Sequence, residues 1–162
     1  MSKELRNALG CFATGVTVVT TRYKGQDYGM TCSSFNAVSL EPAMALWSIQ
    51  KTSQCLEAFQ NSEGYTVSVL SAEQGELAMH FTRGSQEERF ADLSDEHRLD
   101  SGRIVIPGSS AWFDCDLRQV IEAGDHYILL SNILQYGSSQ DTAGLIFERS
   151  QFGSMQQLKK VA

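Results

Sequence analysis

The chain has no C-x-x-C pair. Its four cysteines, Cys11, Cys32, Cys55 and Cys115, are widely separated, which weighs against zinc ribbons and thiol redox motifs. Histidine is scarce as well: only His80, His97 and His126 occur, and their spacing suggests no metal site. There is no G-x-G-x-x-G, so a Rossmann dinucleotide fold has no support, and no G-x-S-x-G or H-E-x-x-H to mark a hydrolase. Gly10-Cys-Phe-Ala-Thr-Gly15 has the spacing of a phosphate loop, but Val16 stands where the lysine must be. Without that cation the β/γ-phosphate contacts fail. No apolar run approaches the length of a membrane span, and the first residues lack the apolar stretch of a signal peptide. The expectation is a cytoplasmic protein with reduced, mostly buried thiols. A formal net charge of -6 and a pI near 5.0 argue against nucleic acid or an anionic membrane as the main partner.

What remains is an ordinary globular composition, 42% hydrophobic and 20% charged over 162 residues, which favours one domain over 1–162. Leu5, Ala8, Leu9 and Phe12 fall on one face of a short helix, with Gly15 placed to end it. Residues 16–22 are β-branched and read as a strand, Lys24-Gly-Gln-Asp27 as a turn, and Tyr28 onward as the returning arm of a hairpin. The apolar run 43–49 reads as a strand buried on both faces. A helix is expected over 53–59, capped by Thr52 or Ser53. After a strand at 65–70, Ser71-Ala-Glu-Gln74 matches a capping box opening a helix toward Phe81. Residues 83–103 read as a charged surface excursion with one helical turn near 87–90. Three late strands follow, at 111–120, 127–136 and 144–148, with a bend at Gly124-Asp125 and a polar turn at 137–141. Strands in this number with few helices imply a mainly antiparallel barrel.

Residues 29–53 carry the chemistry. Thr31, Cys32, Ser33, Ser34 and Phe35 form one cluster, and Ser48, Gln50, Lys51 and Ser53 a second, with one apolar strand between them. Hydroxyls and backbone amides serve both donors and acceptors, and a lysine beside a helix start suits a phosphate. The pair fits a flat, hydrogen-bond-rich ligand with an anionic tail, such as a flavin. Read from spacing alone, the first cluster is equally a polar strand-to-loop segment with self-satisfied hydroxyls, and the second an ordinary capped helix with an exposed lysine.

The chain resembles the flavin reductase family over nearly its whole length. The resemblance rests on Leu5 to Thr21, on Gly29 to Pro42 (G-x-T-x-S-S-F-x-x-V-S-x-x-P), on Ser62 to Gln74, on Pro107 to Cys115 and on Gly124-Asp-His126. It implies an all-β, mainly antiparallel split β-barrel of the FMN-binding type. It also implies an NAD(P)H-dependent reductase of FMN or FAD, working as a homodimer and often supplying a flavin-dependent monooxygenase. Thr31, Ser33 and Ser34 become flavin candidates, Phe81 and Arg83 fall near the flavin, and His126 lies near the nicotinamide side as the catalytic candidate. Histidine titrates close to neutrality, so it suits orienting a carboxamide or donating a proton. Two positions depart from the pattern: Ala43 where a second proline is common, and Ser131 where a glycine is common. A flavin-binding electron carrier and a flavin-bound oxidase or nitroreductase on the same barrel are the alternatives.

Overall fold

The computed structural model describes residues 2–139 and 141–154. Helix α1 (Lys3–Leu9) is followed by strands β1 (Thr14–Gly15), β2 (Thr17–Tyr23), β3 (Gln26–Cys32), β4 (Asn36–Leu40) and β5 (Ala43–Gln50). Helix α2 (Leu56–Asn61), strand β6 (Gly64–Val69) and helices α3 (Gly75–His80) and α4 (Gln86–Phe90) come next. The long hairpin β7 (Ala111–Ala123) and β8 (His126–Ser138) precedes β9 (Leu145–Glu148) and β10 (Gln151–Ser154). Seven strands form one sheet in the order β3-β2-β6-β7-β8-β5-β4, and β1-β9-β10 form a second. Every pairing is antiparallel, and β2–β3, β4–β5, β7–β8 and β9–β10 are joined by short turns.

The large sheet curls on itself. Trp47 of β5 packs edge-on against Tyr65 of β6 at 5.6 Å and against Phe59 of α2 at 4.9 Å, although β7 and β8 separate β5 from β6 in the sheet. Val19, Ile49, Val67, Cys115 and Leu129 fill the same interior. A second core, under α3, gathers Val18, Leu70, Ala78, Phe81 and Ile106. Ser34, just past β3, carries the β4–β5 ladder one step further: it accepts from the Ser48 N–H at 2.9 Å and donates to the Ser48 carbonyl at 3.1 Å, so a hydroxyl stands in for a ladder partner. Ser34→Ala is expected to cost about 1 kcal/mol, read as a lower urea midpoint with unchanged slope; an unchanged midpoint would show that water replaces both bonds.

The structure differs from the sequence reading in several places. The α1 face built from Leu5, Leu9 and Phe12 is exposed rather than packed, and the helix ends at Gly10, with Gly15 already in β1. Strand β5 alternates: Ala45, Trp47 and Ile49 are buried and Met44, Leu46 and Ser48 half-exposed. Among the described residues its other face is only partly covered. Helix α2 starts at Leu56 with Cys55 as its cap residue, and the Ser53 hydroxyl accepts from the Cys55 N–H at 3.2 Å, the bond an N-cap serine makes, in the turn that leads into it. Only half of the expected capping box at Ser71 forms, with Gln74 Oε1 accepting from the Ser71 N–H at 2.9 Å; the complete box is Ser85 with Glu88, opening α4. Strands β1, β4 and β10 were not anticipated. The polar turn at 137–141 includes residue 140, outside the described residues.

Of the four thiols, Cys32, Cys55 and Cys115 are buried and Cys11 is exposed, in line with the expectation of mostly buried thiols. Burial, reinforced by the Asp114 carboxylate, pushes the Cys115 thiol up to about 12. A thiol titration of the native protein should therefore give one fast equivalent, from Cys11, with the buried Cys32, Cys55 and Cys115 reacting far more slowly. Two fast equivalents would contradict the packing.

Candidate functional site

A cavity of about 430 Å³ opens beside the C-terminal end of β3. Thr31 of β3, Ser53 and Gln54 of the loop after β5, Phe81, and the Arg83–Gly84 corner line it, together with Arg89 of α4. No carboxylate is in the wall, while two guanidiniums are. On a chain of net charge -6, this acid-free wall has the charge and donors that suit an anion. Thr31 is held in place by its hydroxyl, which donates to the Ala78 carbonyl at 2.6 Å, leaving the oxygen lone pairs. Gly29 sits behind the wall because a Cβ there would meet the Phe81 ring at 2.8 Å and the Phe90 ring at 2.9 Å.

Thus Thr31, Ser53, Phe81 and Arg83, drawn from distant parts of the sequence, come together here. Other candidates do not reach the cavity. Cys32 is in the barrel core, its sulfur 3.2 Å from the Thr17 hydroxyl. Ser34 is spent on the Ser48 backbone, Phe35 stacks on Phe113 at 5.5 Å, and Ser33 is exposed. Ser48 bonds Ser34 through its backbone, and Gln50 faces His126 across the β5–β8 ladder. Lys51 pairs with Glu122 and lies over the Tyr127 ring at 5.3 Å. The Glu122 hydrogen bond raises the lysine pKa from its ordinary value. The phosphate role expected of Lys51 through a helix start also loses that helix: α2 has six residues and begins at Leu56. His126 opens β8 beside this end of the barrel, where the Lys51 N–H donates to the Asp125 carbonyl at 3.0 Å. Its Nδ1 lies 2.7 Å from the Asp125 carboxylate. That contact holds the Asp125 carboxyl below the usual range and orients the imidazole. Gln54, Thr82 and Arg89 were missed. The signal for Arg89 was present in Ser85-x-x-Glu88 followed by Phe90, a capping box ahead of an apolar residue.

Residues 9–156 match the family model described as flavin reductase like domain. The chain belongs to this family. FMN reductase (NADH) SmoA of Agrobacterium fabrum is 41% identical over 152 residues, covering 94% of this chain and 85% of that protein. The reductase component of the flavin-dependent trigonelline monooxygenase of Acinetobacter baylyi is 41% identical over 154 residues, 93% of this chain. This chain spans about half, 48%, of that longer relative. Among solved structures, the NADH:FAD oxidoreductase SgcE6 of Streptomyces globisporus aligns with a TM-score of 0.88 at 30% identity, covering 94% of this chain and 92% of that one. Flavin reductase PheA2 aligns at 0.84 with 33% identity over 97% and 100% of the two chains. The curled antiparallel sheet is thus the split barrel of the flavin reductases. Among the described residues no helix is long and apolar enough to cross a membrane, and no group of three or more histidines, cysteines and acids is placed to hold a metal.

Proposed function

We propose that the chain is an NADH-dependent flavin reductase that holds FMN or FAD by its anionic tail in the Thr31–Arg83 cavity and supplies reduced flavin to a monooxygenase. The observation that carries this reading is an acid-free cavity with two guanidiniums in a chain of this family. The donor set fits a flavin nucleotide: Arg83 and Arg89 for charge, Ser53 and Gln54 for short polar contacts, Phe81 as an apolar wall. When bound, the flavin supplies the isoalloxazine that accepts a hydride from reduced nicotinamide. The protein's part is placement: it holds the tail, presents the rim at Ser33 and Phe35, and keeps His126 oriented by Asp125 on the same end of the barrel. A reductase that treats flavin as substrate purifies pale and consumes NADH only when flavin is added. A protein that purifies yellow and ignores NADH would be a carrier.

His126→Ala is expected to slow NADH oxidation roughly 10- to 100-fold, in the range of a single acid–base or orienting group, with FMN affinity unchanged. Full turnover at saturating NADH together with an unchanged KM would remove the histidine from the mechanism. The working unit is proposed to be a homodimer. Leu40 of the edge strand β4 is 91% exposed, and Leu134 and Tyr136 of β8 are 59% and 74% exposed, apolar surface that a second copy would cover. Light scattering should give twice the chain mass, and Leu134→Glu should halve it.

A further inference from the structure

The segment after α3 works as a clasp on β3. Arg89 donates from Nη1 to the Gly29 carbonyl at 2.7 Å, from Nε to the Arg83 carbonyl at 2.9 Å and from Nη2 to the Gly84 carbonyl at 3.4 Å. Three of its five N–H groups thereby bind three backbone carbonyls on two separate segments. One turn earlier, Gln86 accepts from the Gly29 N–H at 2.8 Å and donates to the Cys55 sulfur at 3.1 Å. Both backbone groups of Gly29, at the outer edge of the large sheet, are therefore paired by α4 side chains rather than by a strand. The Ser85–Glu88 capping box starts α4 at the right residue for this, and Phe90 packs edge-on against Phe81 at 5.5 Å. Arg83 has no described partner for its own guanidinium, so only the fixed Arg83–Gly84 backbone settles where that side chain emerges. We propose that Arg89 is a positioning residue for the anionic tail: it locks the Arg83–Gly84 corner to β3 and so sets Arg83 at the cavity. This rests on the reading of the cavity as the flavin's phosphate site. A lysine at position 89 keeps the charge but is a point donor that cannot span three carbonyls.

The test compares Arg89→Lys and Arg89→Met with the unmutated protein, using flavin-fluorescence titration with FMN and with riboflavin, which lacks the phosphate. Both variants are expected to weaken FMN about tenfold and to change riboflavin by less than twofold, with melting temperatures a few degrees lower. A merely structural role would weaken both ligands alike, and that result overturns the proposal. So does an Arg89→Lys variant that keeps the full preference for FMN, since Arg89 would then act only as a charge. Loss of the fold in both variants also overturns it. If the unmutated protein shows no preference for FMN over riboflavin, the cavity reading itself has failed, a different outcome from failure at Arg89 alone.

Discussion

Replacing Arg103 by methionine is expected to destabilise the fold by about 3–5 kcal/mol, or about 10 °C in melting temperature for a chain of this size. Arg103 is 8% exposed and Asp114 is 3% exposed. The guanidinium donates to Asp114 Oδ1 at 2.5 Å and to the Cys115 carbonyl at 3.0 Å. It lies against Gly64, where a Cβ would overlap the Cys115 carbonyl oxygen and come within 3.0 Å of the guanidinium carbon. The pair therefore fills the space that glycine leaves where β6 meets β7. Methionine leaves a carboxylate buried without its cation, and that uncompensated charge is the main cost. The double variant Arg103→Met with Asp114→Leu should recover most of the loss, because it removes both charges. A single variant melting within 2 °C of the parent would mean that water already reaches Asp114.

Replacing Arg83 by alanine carries the largest expected effect on flavin binding. The side chain is exposed and makes no described ion pair, so stability should stay within about 0.5 kcal/mol. A charge-assisted contact to phosphate is worth about 1.5–3 kcal/mol, so FMN should bind about ten- to a hundredfold more weakly, with riboflavin unaffected. Turnover at saturating FMN should be nearly unchanged, since the arginine grips the part of the ligand remote from the reacting ring. A fall in turnover with no change in FMN affinity would place Arg83 at the nicotinamide instead.

The barrel was legible because its strands are either β-branched, as at 17–21, or apolar between turn signals, as at 43–49. The Gly124 bend of the β7–β8 hairpin could be read directly. Short edge strands such as β4 could not, because their exposed residues alternate with nothing buried. The site was half legible. Thr31, Ser53, Phe81 and Arg83 were placed by motif, yet the motif also drew in Cys32, Ser34 and Ser48, which the barrel uses for its core and its ladder. A hydroxyl in a sequence does not say whether it faces a ligand or a backbone amide. Lys51 shows the same limit for charge: its partner Glu122 lies 71 residues away, beyond any local pattern. Residues 83–103, read as a surface excursion, hold Arg89, whose three carbonyl acceptors are set by tertiary packing. Asp27 anchors the far end of that excursion through two bonds from Arg98, each 2.9 Å.

The decisive measurement is a paired titration of purified, flavin-free protein with FMN and riboflavin, followed by flavin fluorescence at moderate salt. The account predicts saturable binding of both, with FMN tighter by at least about tenfold and that advantage shrinking as salt rises. Equal affinities, or no saturation with either flavin, would contradict it.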